Sequence, residues 1–172
     1  KTAKILARHA IPGAVALNDI AGDGSGALFI SDFRKSVIFR FEAGQSEEWL
    51  KGPEVSRPNG VWVEDGKLFW GNNGDGCLKS ADLGTKVTRV IARLGQGILD
   101  GIAGDGRGNI LISHNEGRLF RVKPGGEVAL ILDTSVPGDR IADFTFVPEK
   151  DLLIIPGFTG SWVSAWRFGD VP

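Results

Sequence analysis

The sequence predicts an all-β fold built from repeats of about 41 residues. Short runs of β-branched and aromatic residues alternate with turn residues, and the 172 positions include 25 glycines, five tryptophans and ten phenylalanines. Almost no stretch shows the 3.6-residue apolar period of an amphipathic helix. Alternating strands and glycine-containing turns are therefore expected along the whole chain.

The repeat is clearest where LNDIAGDG at 17–24 matches LDGIAGDG at 99–106. The segments PNGV at 58–61 and ADFT at 142–145 occupy the same place in two further units. Four residues mark this place, and they are separated by 41, 41 and 43 positions: Asn18, Asn59, Asp100 and Asp143. Because a four-stranded propeller blade takes roughly 40 to 50 residues, the spacing predicts one β-propeller domain over 1–172. Its four blades are expected at approximately 14–54, 55–95, 96–138 and 139–172.

Each unit is predicted to contain about four antiparallel strands joined by turns. After the first strand, second strands are expected at 27–31, 67–71, 109–113 and 151–155, and third strands at 37–41, 77–81, 118–122 and 162–168. Fourth strands are expected at 47–50, 87–92 and 128–132, which leaves the last blade without one. Residues 3–10 precede the first unit, where the outer strand of a neighbouring or closing blade would lie, and we expect them to complete the last blade. Sequence alone leaves open a closed four-blade ring, a homodimer through edge strands and a piece of a larger ring.

Composition excludes several classes of function. The 20 Lys and Arg residues nearly balance 21 Asp and Glu, for a formal net charge of -1, so neither nucleic acid nor a membrane surface is an expected partner. No apolar run approaches the roughly 20 residues of a spanning helix. Cys77 is the single cysteine, which rules out an intrachain disulfide and CxxC chemistry. The chain begins at Lys1 instead of Met, as after removal of a signal peptide or a further domain, so the compartment stays open between cytoplasmic and periplasmic or secreted.

The four recurring polar residues are candidate metal ligands. In a propeller the first strand of each blade lines the central channel, so equivalent positions converge around the axis. The oxygens of Asn18, Asn59, Asp100 and Asp143 would suit a hard cation such as Ca²⁺. The alternative is structural, because Asn and Asp at a strand start also bond to backbone and hold blades together.

A second layer of candidates lies at the ends of the second strands: Asp32, Asn72, His114 and Pro156, spaced 40, 42 and 42 residues apart. This layer changes chemistry from blade to blade, as functional sites do. Asp32 or His114 would serve as a general base or as a substrate contact. For His114 the alternative is a hydrogen-bonded loop residue.

The segments LNDI, RPNGV, LDGIA and ADF followed by LLIIP resemble successive blades of the SMP-30/gluconolactonase family, with motifs shared by NHL-type repeats. The resemblance covers nearly the whole chain and corresponds to the last four of the six blades typical of that family. It implies a hydrolase with one divalent metal in the channel, held by a glutamate, an asparagine and an aspartate. By motif, the resemblance assigns the metal to Asn18, Asn59 and Asp100.

Two positions depart from the family pattern. The glutamate ligand of an early blade has no counterpart, because the chain begins about two blades later. The arginine that stands two residues before the Asn-Asp pair in members that cleave sugar lactones is replaced by Ala16. The resemblance therefore implies lactone or ester hydrolysis without specifying a sugar-acid lactone.

The expected function is metal-dependent hydrolysis of a small lactone or ester. One divalent cation, Ca²⁺ before Zn²⁺, Mg²⁺ or Mn²⁺, would polarise the carbonyl, with Asp19, Asp143 or Asp32 as proton acceptor. One alternative is a non-catalytic propeller that binds a protein or small ligand over its channel mouth. In that case Trp62, Trp70, Phe33 and Phe158 would matter most. The other alternative is a truncated remnant of the hydrolase.

Overall fold

The computed structural model describes residues 3–135 and 138–168. Residues 1, 2, 136, 137 and 169–172 lie outside this part of the chain, so the predicted domain 1–172 and the ends of its third and fourth repeats extend beyond the described residues. The described residues form four antiparallel sheets in which consecutive strands are always neighbours. This is the arrangement of β-propeller blades, and it confirms the predicted fold class.

The strands of the four blades are as follows. Blade 1 contains β1 (Leu17–Gly22), β2 (Leu28–Asp32), β3 (Val37–Glu42) and β4 (Gln45–Lys51). Blade 2 contains β5 (Pro58–Glu64), β6 (Lys67–Asn72), β7 (Cys77–Asp82) and β8 (Thr88–Arg93). Blade 3 contains β9 (Leu99–Gly104), β10 (Ile110–His114), β11 (Arg118–Val122) and β12 (Val128–Asp133). Blade 4 contains β13 (Thr145–Val147), a short 3₁₀ turn (Pro148–Lys150), β14 (Leu152–Pro156) and β15 (Val163–Arg167).

These bounds agree with the predicted strands to within two residues, because the turn chemistry is explicit in the sequence. Between β5 and β6, for example, Asp65 and Gly66 both adopt positive φ, at 49° and 69°. Two successive residues of this kind form the type I′ turn that matches the twist of a hairpin.

The core consists of apolar layers between successive blades. Phe29 and Ile38 of blade 1 pack against Trp70 of blade 2, and Leu78 of blade 2 packs against Ile112 of blade 3. A third layer joins Leu111 and Leu119 of blade 3 to Leu153 and Ile155 of blade 4, together with Ile141 and Phe144. Each blade thus buries its apolar faces against its neighbours, which holds the first strands at fixed positions around the axis.

Residues 3–10 form no strand in this structure, and the described part of blade 4 has three strands in the order β13-β14-β15. Their role as the outer strand of a neighbouring or closing blade stays a prediction. His9 instead stacks at 4.9 Å on Phe41, while Ile11 and Ala14 pack on the cluster of Ile30, Val37 and Phe39. The segment before β1 thus covers an apolar face of blade 1.

The first strands approach so closely that glycine is required between them. A Cβ placed on Gly60 would overlap the main-chain carbonyl of Asp100, which is backbone and has no side-chain freedom to move away. Gly60 thus lets β5 and β9 converge toward the axis.

We therefore expect Gly60→Ala to lower the free energy of unfolding by about 3 kcal/mol or to prevent folding, since overpacking of this kind forces backbone shifts. Gly125→Ala is the matched control, because a Cβ there meets no atom within 4 Å. Urea unfolding of both variants measures the difference. Equal stability of the two variants would contradict the close approach of β5 and β9.

Candidate functional site

Each of the first three blades carries a β-bulge at the start of its first strand. In blade 1 the pairing moves from Leu17 opposite Asp32 to Ile20 opposite Ile30, so two residues of β1 face one of β2. The same irregularity follows Pro58 in β5 and Leu99 in β9. The extra residue places Asn18, Asn59 and Asp100 inside the bulges. Bulges redirect side chains out of the regular ladder and are common next to active sites.

Three carboxylates from different blades face the same space. Burial raises the pKa of Asp100, and the charges of Asp143 and Asp19 raise it further. Burial also raises the pKa of Asp19, against the lowering effect of the Val61 and Ile20 N–H groups, and Asp143 again adds to the rise. Blades 1, 3 and 4 thus bring together negative charges that the sequence places more than 40 residues apart.

Two of these carboxylates also bond to backbone. Asp19 Oδ2 accepts a hydrogen bond of 2.8 Å from the Val61 N–H of blade 2, and Oδ1 accepts one of 2.7 Å from Ile20. Asp143 Oδ1 accepts one of 2.7 Å from Phe144. Asp19 therefore links blades 1 and 2 while it faces the carboxylates of blades 3 and 4.

Asn59 and Asp100 differ from them, because their oxygens are left without protein donors. Asn59 is 4% exposed, and its Oδ1 is buried without a hydrogen-bond partner among the described residues. Burial and carboxylate charges affect the Asp100 carboxyl, and no hydrogen bond from a described residue lowers its pKa. A buried oxygen without a donor is costly, which points to a ligand or an ordered solvent molecule at this position.

The donor set fits a hard cation only if amide oxygens take part. Among the described residues, no three His, Cys, Asp or Glu side chains are grouped tightly enough to hold a metal ion. Asn59 Oδ1 adds an amide oxygen next to the Asp100 strand, and Asn18 has an exposed side chain at the equivalent position of blade 1. Amide and carboxylate oxygens together are the ligands that Ca²⁺ takes.

Three members of the second layer, Asp32, Asn72 and His114, are buried and bonded to the connections that lead into the first strands, whereas Pro156 is exposed. Asp32 is fully buried, and it accepts hydrogen bonds from the N–H groups of Val15 at 2.6 Å, Ala16 at 3.0 Å and Lys35 at 2.8 Å. Burial acts to raise the pKa of Asp32, but these donors together hold it below the usual value. A carboxylate whose pKa is held below the usual value is a weak proton acceptor.

The corresponding residues of blades 2 and 3 make the same connection. Asn72 Oδ1 accepts a hydrogen bond of 2.7 Å from the Ser56 N–H. His114 is 1% exposed, with Nε2 at 3.0 Å from the Gln96 carbonyl, and Nδ1 accepts a bond from Glu116. These contacts match the loop alternative for His114 and give Asp32 a structural role in this geometry. Their catalytic assignment stays a prediction.

Sequence reasoning missed the serine that precedes this layer. Ser31 Oγ accepts a hydrogen bond of 3.0 Å from the Asp19 N–H, and Ser113 Oγ accepts one of 2.9 Å from Gly101. Ser113 Oγ also donates to the Ala142 carbonyl of blade 4. These hydroxyls pair the backbone groups that the bulges leave free. The recurrence of serine one position before Asp32 and before His114 is the signal that would have revealed them.

Two cavities lie in different parts of the fold. One of about 200 Å³ is lined by Asp143, Phe144, Thr145, Ile154, Pro156 and Val163, and so opens beside the carboxylates at blade 4. The other, of about 460 Å³, lies between blades 2 and 3, with Phe69, Ile110 and Val122 in its wall. Asn18, Asn59, Asp100 and Asp143 are absent from its lining. Although it has the greater volume of the two, this cavity is therefore not the candidate site formed by those residues.

Solved structures share this fold. The chain aligns with one from the nidogen–laminin complex at a TM-score of 0.71 and 16% identity, over 82% of its own length and 57% of the other. It aligns with streptogramin B lyase at 0.69 and 14%, over 89% and 55%. It aligns with the computationally designed protein Ika4 at 0.68 and 15%, over 98% and 100%. The fold is a β-propeller, and the chain spans a little over half the length of the two natural proteins.

At the sequence level, no family model and no curated protein matches the chain. The two natural structures include an enzyme and a component of a protein complex, so the shared fold by itself selects neither class of function. The described part of the chain has no helix of the length and apolarity needed to cross a membrane.

Asp32→Ala tests the structural role of the second layer. We expect a loss of about 2–3 kcal/mol in the free energy of unfolding, because three backbone N–H groups lose their acceptor. Glu47→Ala, at an exposed position of β4, should change stability by less than about 0.5 kcal/mol. Denaturant titration compares the two. Unchanged stability of the Asp32 variant would return this residue to the list of catalytic candidates.

Asp100→Asn tests whether burial and repulsion of the Asp100 charge lower the free energy of unfolding. Because the folded-state pKa of Asp100 is raised, its charge lowers stability as the pH rises above about 4, the usual pKa of an aspartate. In chelated protein at pH 7 we expect the variant to melt a few degrees higher than the wild type, and the difference to vanish near pH 3. Thermal unfolding across this pH range measures it. A variant that melts lower at pH 7 would contradict the repulsion.

Proposed function

We propose that this chain is a hydrolase of the lactonase or esterase type that binds one divalent cation in the propeller channel. The observation that carries the proposal is the buried Oδ1 of Asn59, which has no hydrogen-bond partner among the described residues. Asn59 lies on β5, which contacts the β9 strand of Asp100, and Asp100 feels the charges of Asp19 and Asp143. Asn59 and Asp100 would hold the cation directly. Asn18 would supply a further amide oxygen from blade 1.

Charge supports a cation over other ligands. Asp19, Asp100 and Asp143 form none of the ion pairs of the described residues, although Lys and Arg pair with carboxylates elsewhere on the surface. A bound divalent cation would offset the repulsion that raises the pKa of Asp100 and Asp19. Ca²⁺ suits this oxygen-only set best, and Mg²⁺, Mn²⁺ and Zn²⁺ are the other candidates.

Such a cation supplies polarisation of a substrate carbonyl and activation of water. The side chains of the chain would position the substrate and move the proton. Asp19 is the preferred proton acceptor, since burial raises its pKa and so strengthens it as a base. Asp143 is the second choice, because it borders the 200 Å³ cavity in which a small ester or lactone would lie. The hydrogen bonds of Asp32 and His114 make them positioning residues in this scheme.

The resemblance of the repeat motifs to SMP-30/gluconolactonase blades supports the same reaction class. Two departures from the family pattern, the early-blade glutamate that these four repeats do not contain and the alanine at position 16, limit which properties of the family are proposed for this chain. The substrate we propose is therefore a small lactone or ester with no requirement for a sugar acid. Because the chain spans only part of the larger propellers that it resembles, the proposal concerns the channel residues of these four blades.

A propeller that binds a partner without catalysis is the second candidate, and the exposure of Phe158 favours it. Phe158 is 60% exposed, and Phe33 lies under the guanidinium of Arg57, 4.8 Å from the ring centroid. Trp70 is fully buried in the layer between blades 1 and 2, and Trp62 packs on the layer between blades 2 and 3. Of the four aromatic candidates, the two phenylalanines therefore remain as contact residues. If the channel is inactive, this candidate and the remnant of a former hydrolase remain.

The decisive experiment is cation binding by chelated protein. Calcium at 100 times its dissociation constant should raise the free energy of unfolding by about 2.7 kcal/mol, which thermal unfolding detects readily. Asn59→Ala and Asp100→Ala should each abolish this increase. Glu47→Gln removes one exposed carboxylate far from the bulges and should keep it, which controls for non-specific attraction of Ca²⁺.

The same proteins then decide the activity. Wild type should hydrolyse some members of a panel of simple lactones and aryl esters, lose turnover with chelator and regain it with the cation. Asp19→Asn should still bind Ca²⁺ but lower kcat by 10²-fold or more, as expected for loss of a general base. Calcium binding without turnover would leave a structural cation site, whereas turnover by Asp100→Ala would refute the assignment.

A further inference from the structure

The cavity between blades 2 and 3 is formed by both sheets. Its volume of about 460 Å³ lies within the roughly 300–1,000 Å³ that is common for sites of small organic molecules. Phe69 and Ile91 of blade 2, with Ile110 and Val122 of blade 3, give the cavity an apolar wall. These four residues belong to, or pack against, the apolar layer that joins the two blades. The shape of the cavity is therefore set by the packing of the blades.

Blades 2 and 3 touch at both ends of this cavity. At the first strands, a Cβ added to Gly104 of β9 would lie 2.6 Å from the Glu64 carboxylate of β5. At the outer strands, a Cβ added to Gly126 would lie 2.5 Å from the Ile91 carbonyl oxygen of β8. Between these contacts the blades separate, so the cavity is a groove that runs from β5 to β8, which we call the inter-blade groove.

Charge is separated along the inter-blade groove. Near β5, Lys67 lies directly opposite both Glu64 and Asp82 in the sheet, and Asp65 occupies the adjacent turn, so carboxylates are in excess there. Near β8, Arg89 lines the groove. Neither Glu64 nor Arg89 forms an ion pair with a described residue. The groove thus has an acidic end and a basic end.

A hydroxyl group lies between the two ends. Ser80 stands directly opposite both Phe69 and Arg89 in the sheet. The residue is 4% exposed and lines the groove, and its Oγ makes no side-chain hydrogen bond with another described residue. A hydroxyl that both donates and accepts can therefore bond to a polar group of a ligand in the groove.

The separation of the charged ends sets the length of the ligand. Among the described residues, Arg89 is the unpaired cation at the basic end, because Lys123 there pairs with Glu127 at 3.1 Å. Neighbouring strands lie about 4.8 Å apart, so the backbones of β5 and β8 are about 14 Å apart. An extended peptide of three residues spans about 10 Å, which leaves the remaining distance for the side chains of Glu64 and Arg89.

We propose that the inter-blade groove binds a short apolar peptide of about three residues with free termini. Its ammonium group pairs with Glu64, its carboxylate pairs with Arg89, and Ser80 bonds to a peptide group between them. The apolar side chains of the peptide lie against Phe69 and Val122. A zwitterion fits better than a simple anion or cation, because the two ends of the groove carry charge of opposite sign. The proposal does not depend on the hydrolase assignment.

Calorimetric titration of chelated protein with the tripeptide Leu-Ala-Leu tests the site. We expect saturable binding at millimolar concentration or below. The N-acetylated and the C-amidated peptides should each bind at least tenfold more weakly, since each cap removes a charged hydrogen-bond partner. Absence of binding at millimolar concentration, or equal binding of a capped and the free peptide, would overturn the proposal.

Two variants assign the ends of the peptide. Glu64→Gln should bind the free and the acetylated peptide within about twofold of each other and still discriminate against the amidated one, and Arg89→Gln should show the reverse. Arg93→Gln, which removes an exposed cation of the same strand outside the groove, should behave like wild type. Asn59→Ala should also keep the binding, because the channel is a separate site. Thermal unfolding confirms that each variant is folded. Unchanged discrimination in both groove variants, or loss of binding in Asn59→Ala, would refute the assignment to this groove.

Discussion

The structure depends on the convergence of the first strands toward one axis. Blades are wedge-shaped, and their narrow ends meet only if main chains approach each other without intervening side chains. Gly60 permits this against Asp100, and Gly101 permits it against Asp143 and Phe144, whose atoms a Cβ at either glycine would overlap. The bulges that follow Leu17, Pro58 and Leu99 lie at the equivalent position of the first three blades. The geometry that packs the blades is thus the geometry that turns polar side chains into the channel.

That convergence has an electrostatic cost. Asp19, Asp100 and Asp143 are brought into mutual repulsion at partly buried positions, and the raised pKa values of Asp19 and Asp100 express it. The hydroxyls of Ser31 and Ser113 accept hydrogen bonds from nearby N–H groups, and Asp19 accepts one from Val61. Asn59 Oδ1, in contrast, has no hydrogen-bond partner among the described residues. The proposed cation would offset this repulsion and give Asn59 Oδ1 a partner.

Apolar sheet faces need cover, and in blade 1 the segment before β1 supplies it. Ile11 and Ala14 pack on Ile30, Val37 and Phe39, and the His9 ring lies 4.9 Å from that of Phe41. Between the blades, the same need is met by the neighbouring sheet. Removal of apolar surface from water therefore decides both the stacking of the blades and the path of the segment before β1.

The sequence by itself determined the architecture. Turn pairs such as Asp65 and Gly66, period-two strands and the 41-residue spacing are local or periodic features, so strand bounds and the recurrence of Asn18, Asn59, Asp100 and Asp143 could be read from it. Only the tertiary structure decided which oxygens are free, because hydrogen bonds such as those from Val15 to Asp32 or from Val61 to Asp19 join different elements. The tertiary structure also decided where residues 3–10 lie. Their sequence pattern is typical of a strand, but it does not specify which edge or face they contact. Burial and pairing depend on what the fold brings together, and no local pattern specifies that.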